Sequence, residues 1–143
     1  MWTKSHSVIT KVAAKEQIWK LWSDVPNWNF WDKEVETSEI FGEFKLGTKG
    51  ILKPVGGPKT KFEMIECEYL KSFTDRSFLP FCKMDFIHTM TETKDGLELT
   101  HKVLMTGFMT FFFSKVIGRK INVGLPIAVK KLIEIAEEKL NLL

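Results

Sequence analysis

Hydrophobic and polar positions change period twice along this chain. In residues 2–11, Thr, Val and Ile alternate with polar residues, which predicts an edge-like strand. Ile18, Leu21 and Trp22 then recur at i, i+3 and i+4, and Trp19 widens the stripe, so 15–22 reads as a short helix. Pro26 stops it, and a compact aromatic stretch of Trp28, Phe30 and Trp31 follows. Strand-like pieces come next, at 35–41, 48–53, 59–69, 72–79, 83–93 and 97–106. Turn signals separate them: Gly42, the Pro-Val-Gly-Gly-Pro run at 54–58, and Asp95-Gly96. Close-set strands with short turns require antiparallel pairing.

The tail returns to a helical period. Leu125, Val129, Leu132, Ile133, Ala136 and Leu140 form one stripe, and 108–120 reads as helical as well. Pro126 cannot donate to the carbonyl of Asn122, and Gly124 is beside it, so a kink is expected at 122–126. The order is strand, two short helical pieces, about six antiparallel strands and a long helix, an α+β layout. The sheet has one face to bury, and the helix is there to cover it.

The Asp95-Gly96 turn sets the expected register. With Lys94 and Leu97 flanking a two-residue turn, Met90 faces His101 and His88 faces Val103. One face then carries Met84, Phe86, His88 and Met90 with Leu97, Leu99, His101, Val103 and Met105. The other carries Lys83, Asp85, Thr89 and Thr91 with Glu98, Thr100, Lys102 and Thr106; Ile87 and Leu104 are the exceptions. Shifting this alternation by one residue would bury the charges. His88 and His101 therefore share the apolar face as diagonal neighbours.

Composition narrows the classes. A length of 143 residues suits a single domain, 1–143. Hydrophobic residues are 44 % and charged residues 27 %, which excludes disorder and collagen-like repeats. Net charge is only +3, but 99–133 holds no acidic residue, while Asp32, Glu34, Glu36, Glu39 and Glu43 cluster against Lys33. The basic residues are not dense enough for a nucleic-acid arm, so no nucleic-acid partner is expected. Two cysteines without a CxxC suggest a reducing compartment. With no signal-like start and no apolar run that could span a bilayer, a cytoplasmic protein is expected.

Candidate chemistry is sparse. There is no GxSxG, Walker A or GxGxxG, and Gly56-Gly57-Pro58-Lys59 reads as a turn. Asp75 and Arg76 are read as structural strand residues that pair with neighbours. Buried His88 and His101 fit three roles: satisfied core side chains, polar fixtures of a ligand pocket, or acid/base catalysts. No third ligand at suitable spacing points to zinc, so no metal is expected. Trp19, Trp22, Trp28 and Trp31 fit a core, yet aromatic walls also make ligand pockets. Phe108, Phe111, Phe112 and Phe113 adjoin Lys115, Arg119 and Lys120. They are expected to close over the interior with the cations in water, the alternative being contact with a membrane surface.

The run Gln17-Ile18-Trp19-Lys20-Leu21-Trp22-Ser23-Asp24 with Val25-Pro26-Asn27-Trp28, then Phe44-Lys45-Leu46-Gly47-Thr48 and the helix after Gly107, resembles the START-like (SRPBCC) superfamily. Within it, the bacterial polyketide cyclase/dehydrase-like branch is the nearest in pattern, and the resemblance covers nearly the whole chain. It implies a helix-grip fold like that of START domains and the birch-pollen allergen. Seven curved antiparallel strands would wrap a long C-terminal helix, with a deep hydrophobic cavity between them. Relatives bind lipids, sterols, polyketides or plant hormones, and a minority catalyse cyclisation or dehydration. No universal catalytic motif and no cofactor come with the family.

The expectation is a single helix-grip domain that binds a hydrophobic, lipid- or polyketide-like molecule without a cofactor. Candidate ligand-binding residues on the sheet side are Trp31, Met84, Phe86, His88, Met90, Leu99, His101 and Val103. From the segment after the last strand come Phe108, Phe112, Leu125 and Val129. Access is expected near Gly56-Gly57 and the first half of the helix, where Gly118, Gly124 and Pro126 favour bending. One alternative is a cyclase or dehydratase that uses His88 or His101 as acid/base. The other is a peripheral membrane or partner-binding module built on 108–120. Oligomeric state is left open.

Overall fold

The computed structural model describes residues 1–141. Seven antiparallel strands form one sheet in the order β1-β7-β6-β5-β4-β3-β2. They are β1 (Trp2–Thr10), β2 (Val35–Ile40), β3 (Lys49–Pro54), β4 (Thr60–Glu68), β5 (Ser72–Leu79), β6 (Cys82–Thr93) and β7 (Gly96–Thr106). Between β1 and β2 lie α1 (Lys15–Ser23) and a short 3₁₀ segment (Val25–Phe30). The long helix α2 (Thr110–Asn141) closes the chain against the sheet. β1 is an edge strand, as its alternation predicts, and it joins the other end of the chain by pairing with β7.

One expected register needs correction. His88 pairs directly with His101, and Met90 with Leu99, so the β6–β7 pairing is shifted by two residues from the prediction. Thr93 pairs with Gly96, which leaves Lys94 and Asp95 as the turn, and Gly96 takes the positive φ of +134° behind it. Thr93 fixes this arrangement: its hydroxyl donates to the Gly96 carbonyl at 2.7 Å and accepts from the Asp95 amide at 3.2 Å. A shift of two leaves every side chain on its predicted face. Leu97, Leu99, His101, Val103 and Met105 are accordingly all buried. Asp85 is buried on the opposite face, where Arg76 clamps it with two bonds of 2.7 and 2.9 Å.

The core gathers Ile18, Trp19 and Trp22 of α1, Trp28 and Trp31 after it, and Phe62, Met64 and Phe73 of the sheet. Helix α2 adds Leu132 and Ala136 of the predicted stripe, together with Ala128. Leu140, its last predicted member, lies outside the residues whose side-chain surroundings are described.

Helix α2 runs as one helix through 122–126, with Pro126 inside it. Pro126 and Asn122 are both exposed, so water can serve the carbonyl that Pro126 cannot bond. The helix glycines serve close approach. A Cβ on Gly118 would sit 3.2 Å from the Trp2 ring, and one on Gly124 3.2 Å from Glu34 Cγ.

Candidate functional site: a cavity with an unsatisfied polar end

Between the sheet and α2 lies a cavity of about 540 Å³. Helix α2 contributes one stripe to it, Phe113, Ile117, Ile121, Gly124, Leu125 and Ala128, spaced at three and four residues. The sheet contributes Met84, Phe86 and Val103, and the segment after α1 contributes Trp28 and Trp31. The wall reaches the surface at Val55, Gly56, Pro58, Val116 and Lys120, the region where access was expected.

Seven of the predicted lining residues border this space: Trp31, Met84, Phe86, His88, His101, Val103 and Leu125. Five do not. Met90 and Leu99 sit one strand pair beyond the histidines, inside the solid core around α1. Val129 is fully buried but stands one residue, about 100° of helix rotation, away from Ala128. Phe112 is displaced in the same way from Phe113, and Phe108 lies before the helix. The expectation that the phenylalanines close over the interior holds for Phe113 alone. Phe108, Phe111 and Phe112 are exposed.

The inner end of the cavity is polar. His88 lies against Phe73, with parallel rings 3.9 Å apart, and its Nδ1 is 3.3 Å from the Phe73 carbonyl. A carbonyl only accepts, so Nδ1 carries the hydrogen and Nε2 keeps a lone pair. His101 has the opposite arrangement: Trp22 Nε1 donates to its Nε2 at 3.2 Å, leaving the hydrogen on Nδ1. The two imidazoles meet edge to face, with centroids 4.6 Å apart. Burial drives both well below their ordinary value, His88 to about 3, so both are neutral near pH 7.

Asp75 completes this end, and sequence reasoning gave it a merely structural place. Arg76 does pair with a neighbour, Asp85, but Asp75 points the other way. It is 2 % exposed, and its Oδ1 has no hydrogen-bond partner. Burial, together with Asp85 and Asp32, pushes it up to about 8. Its Oδ1 approaches His88 Nδ1 at 3.9 Å, too far for a hydrogen bond. Desolvation moves acid and base in opposite directions, so the two face each other uncharged rather than as an ion pair. Alternation along β5 held the signal: Phe73 points inward, so Asp75 must as well. Trp31 Nε1 is a second buried polar atom without a partner. A buried donor or acceptor left unmade costs about 1–3 kcal/mol.

No family model matches the sequence, and no curated protein matches it. Solved structures do resemble it in shape. A hypothetical protein, jhp0584, from Helicobacter pylori aligns with a TM-score of 0.79 at 12 % identity, over 94 % of this chain and 87 % of that one. The di-domain ARO/CYC StfQ from the steffimycin biosynthetic pathway gives 0.76 at 11 % identity, over 97 % of this chain and 51 % of that longer one. The chain has the helix-grip fold. Norcoclaurine synthase from Thalictrum flavum, solved in complex with dopamine and hydroxybenzaldehyde, shares it with a TM-score of 0.69 at 15 % identity, over 96 % of this chain and 87 % of that one. At these identities the helix grip is what the likeness carries, and the chemistry must be argued from this chain's own cavity.

Proposed function

We propose that this helix-grip protein binds a hydrophobic small molecule that ends in one uncharged hydrogen-bonding group. The apolar body lies between α2 and the sheet, and the polar end meets Trp31 Nε1 and Asp75. The observation that carries this reading is an apolar cavity of about 540 Å³ whose lining includes Trp31 and Asp75, each with a buried polar atom that has no partner. That volume suits a drug-sized ligand. Burial of its apolar surface supplies the affinity, and the polar end fixes its orientation. An uncharged group suits Asp75, which holds its proton near pH 7, and the two neutral imidazoles.

Thermal unfolding with molecules of one apolar body and different ends tests this. An alcohol or ketone raises the midpoint, because a ligand at a hundred times its Kd adds about 2.7 kcal/mol. If the plain alkane stabilises as well as the alcohol, or no member stabilises, the reading fails.

A cyclase or dehydratase remains the second reading, favoured by the place of both histidines on the cavity wall. The proton donor there would be Asp75 rather than either histidine. His101 Nε2 is taken by Trp22, and His88 is held neutral.

A further inference from the structure

We propose that the phenylalanines at the β5–β6 turn and the start of α2 form a docking surface for an anionic lipid bilayer. The side chains of Phe81 and Phe108 are 80 % and 81 % exposed, and those of Phe111 and Phe112 are 61 % and 46 % exposed. They belong to one patch. The Met109 amide donates to the Phe81 carbonyl at 2.9 Å, tying the β5–β6 turn to the segment that leads into α2. Phe108 and Phe111 pack edge to face with centroids 6.5 Å apart.

Backbone strain marks Phe81 further. It takes a positive φ of +54°, a region costly for any side chain with a Cβ. Leu70 has a similar φ of +60°, but it packs against the core, and that contact offsets the strain. Phe81 has no such return inside this molecule, because its ring projects into solvent. A polar residue or glycine would suit the turn better in an isolated domain.

Charge selects the partner. Lys83, next to the β5–β6 turn, and Lys115, Arg119 and Lys120 in the first turns of α2 are all exposed. No acidic residue occurs from 99 to 133, and Glu34 stands against α2 only further along, at Gly124. Along α2, exposed Val116 lies between Lys115 and Arg119, and exposed Val123 follows Lys120. Aromatic and aliphatic side chains ringed by cations fit the headgroup layer of a bilayer with negative lipids. A second copy of the chain fits less well, since a two-fold contact would bring the same cations together. No helix among the described residues is long and apolar enough to cross a membrane, so the contact proposed is with its surface. The patch adjoins the cavity mouth, where Phe113, Val116 and Lys120 line the opening. Docking itself does not depend on the cavity being filled.

Co-sedimentation tests this with vesicles of phosphatidylcholine alone and of phosphatidylcholine mixed with phosphatidylglycerol. The wild-type protein pellets with the mixed vesicles at low salt and is released by high salt. Phe81→Asn with Phe108→Ser lowers partitioning about tenfold or more per ring removed. Asn suits the positive φ at 81 and both side chains are exposed, so a melting temperature at or above that of the wild type shows the variant is folded. Equal recovery in the supernatant with both vesicle types overturns the proposal, as does a folded variant that binds like the wild type. A concentration-dependent dimer that the same substitutions dissolve, without vesicle binding, overturns it in favour of self-association.

Discussion

His88 and His101 face each other across β6 and β7, with ring centroids 4.6 Å apart, and neither is charged. Each has one nitrogen committed, His101 Nε2 to Trp22 and His88 Nδ1 to the Phe73 carbonyl. The pair is therefore built into the wall as fixed, neutral dipoles. Trp22→Phe keeps the ring packing and removes the donor to His101. The expected loss is about 1–2 kcal/mol, read from the urea midpoint. A variant as stable as the wild type would show that this bond does not hold His101.

Trp31→Phe has the reverse sign in stability. Its indole N–H is buried and unpartnered, so removing it relieves the ligand-free protein by up to about 1–2 kcal/mol, less what the smaller ring leaves empty. Affinity for an alcohol-ended ligand falls in the same variant. Unchanged affinity would place the ligand's polar end elsewhere.

Asp75 gives the protein a pH slope of known sign. Its carboxyl moves from an ordinary 3.8 to about 8 on folding. Between those values the folded chain binds more protons than the unfolded one, so stability falls as pH rises, by up to about 1.4 kcal/mol per unit. The lowered histidines act oppositely, but only below their ordinary 6.5, and Asp32, raised to about 6, follows the sign of Asp75 below that value. From pH 7 to 8, Asp75 dominates among these groups. The urea midpoint should fall over that interval, and Asp75→Asn should flatten the fall. An undiminished slope in the variant would put the proton elsewhere.

Much of this was legible in the residue pattern, for reasons that particular residues make plain. Alternation in β6 and β7 assigned faces correctly, because side-chain period depends on parity and survives a shift of two. It could not fix the partner, since Asp95-Gly96 reads as a turn centre while Thr93 captures Lys94-Asp95 instead. The helical stripe gave Leu125, but not whether Val129 or Ala128 looks into the space, a matter of one step of rotation. Asp75 was missed because a charged residue beside Arg76 looks like half of an ion pair, and Arg76 takes Asp85 across the sheet. The exposed phenylalanines were misplaced because apolar character argues for burial, and only the local backbone shows which of them turn outward.

Gly50 tests the packing that shapes the sheet. A Cβ there would overlap the Phe62 ring and the Glu39 carbonyl. Gly50→Ala is expected to cost about 2–4 kcal/mol in urea unfolding, because backbone stands on one side and core on the other. A near-neutral result would mean that β3 can shift away from Phe62.

Ligand binding in the cavity is tested most directly by native mass spectrometry of the wild type and Leu125→Trp, each equilibrated with a total cellular lipid extract. Leu125 lines the cavity, and the larger indole fills part of it. The wild type should carry an extractable apolar molecule with one uncharged polar end, and the folded variant should carry none. A bare wild type, or the same adduct on both proteins, would contradict the account.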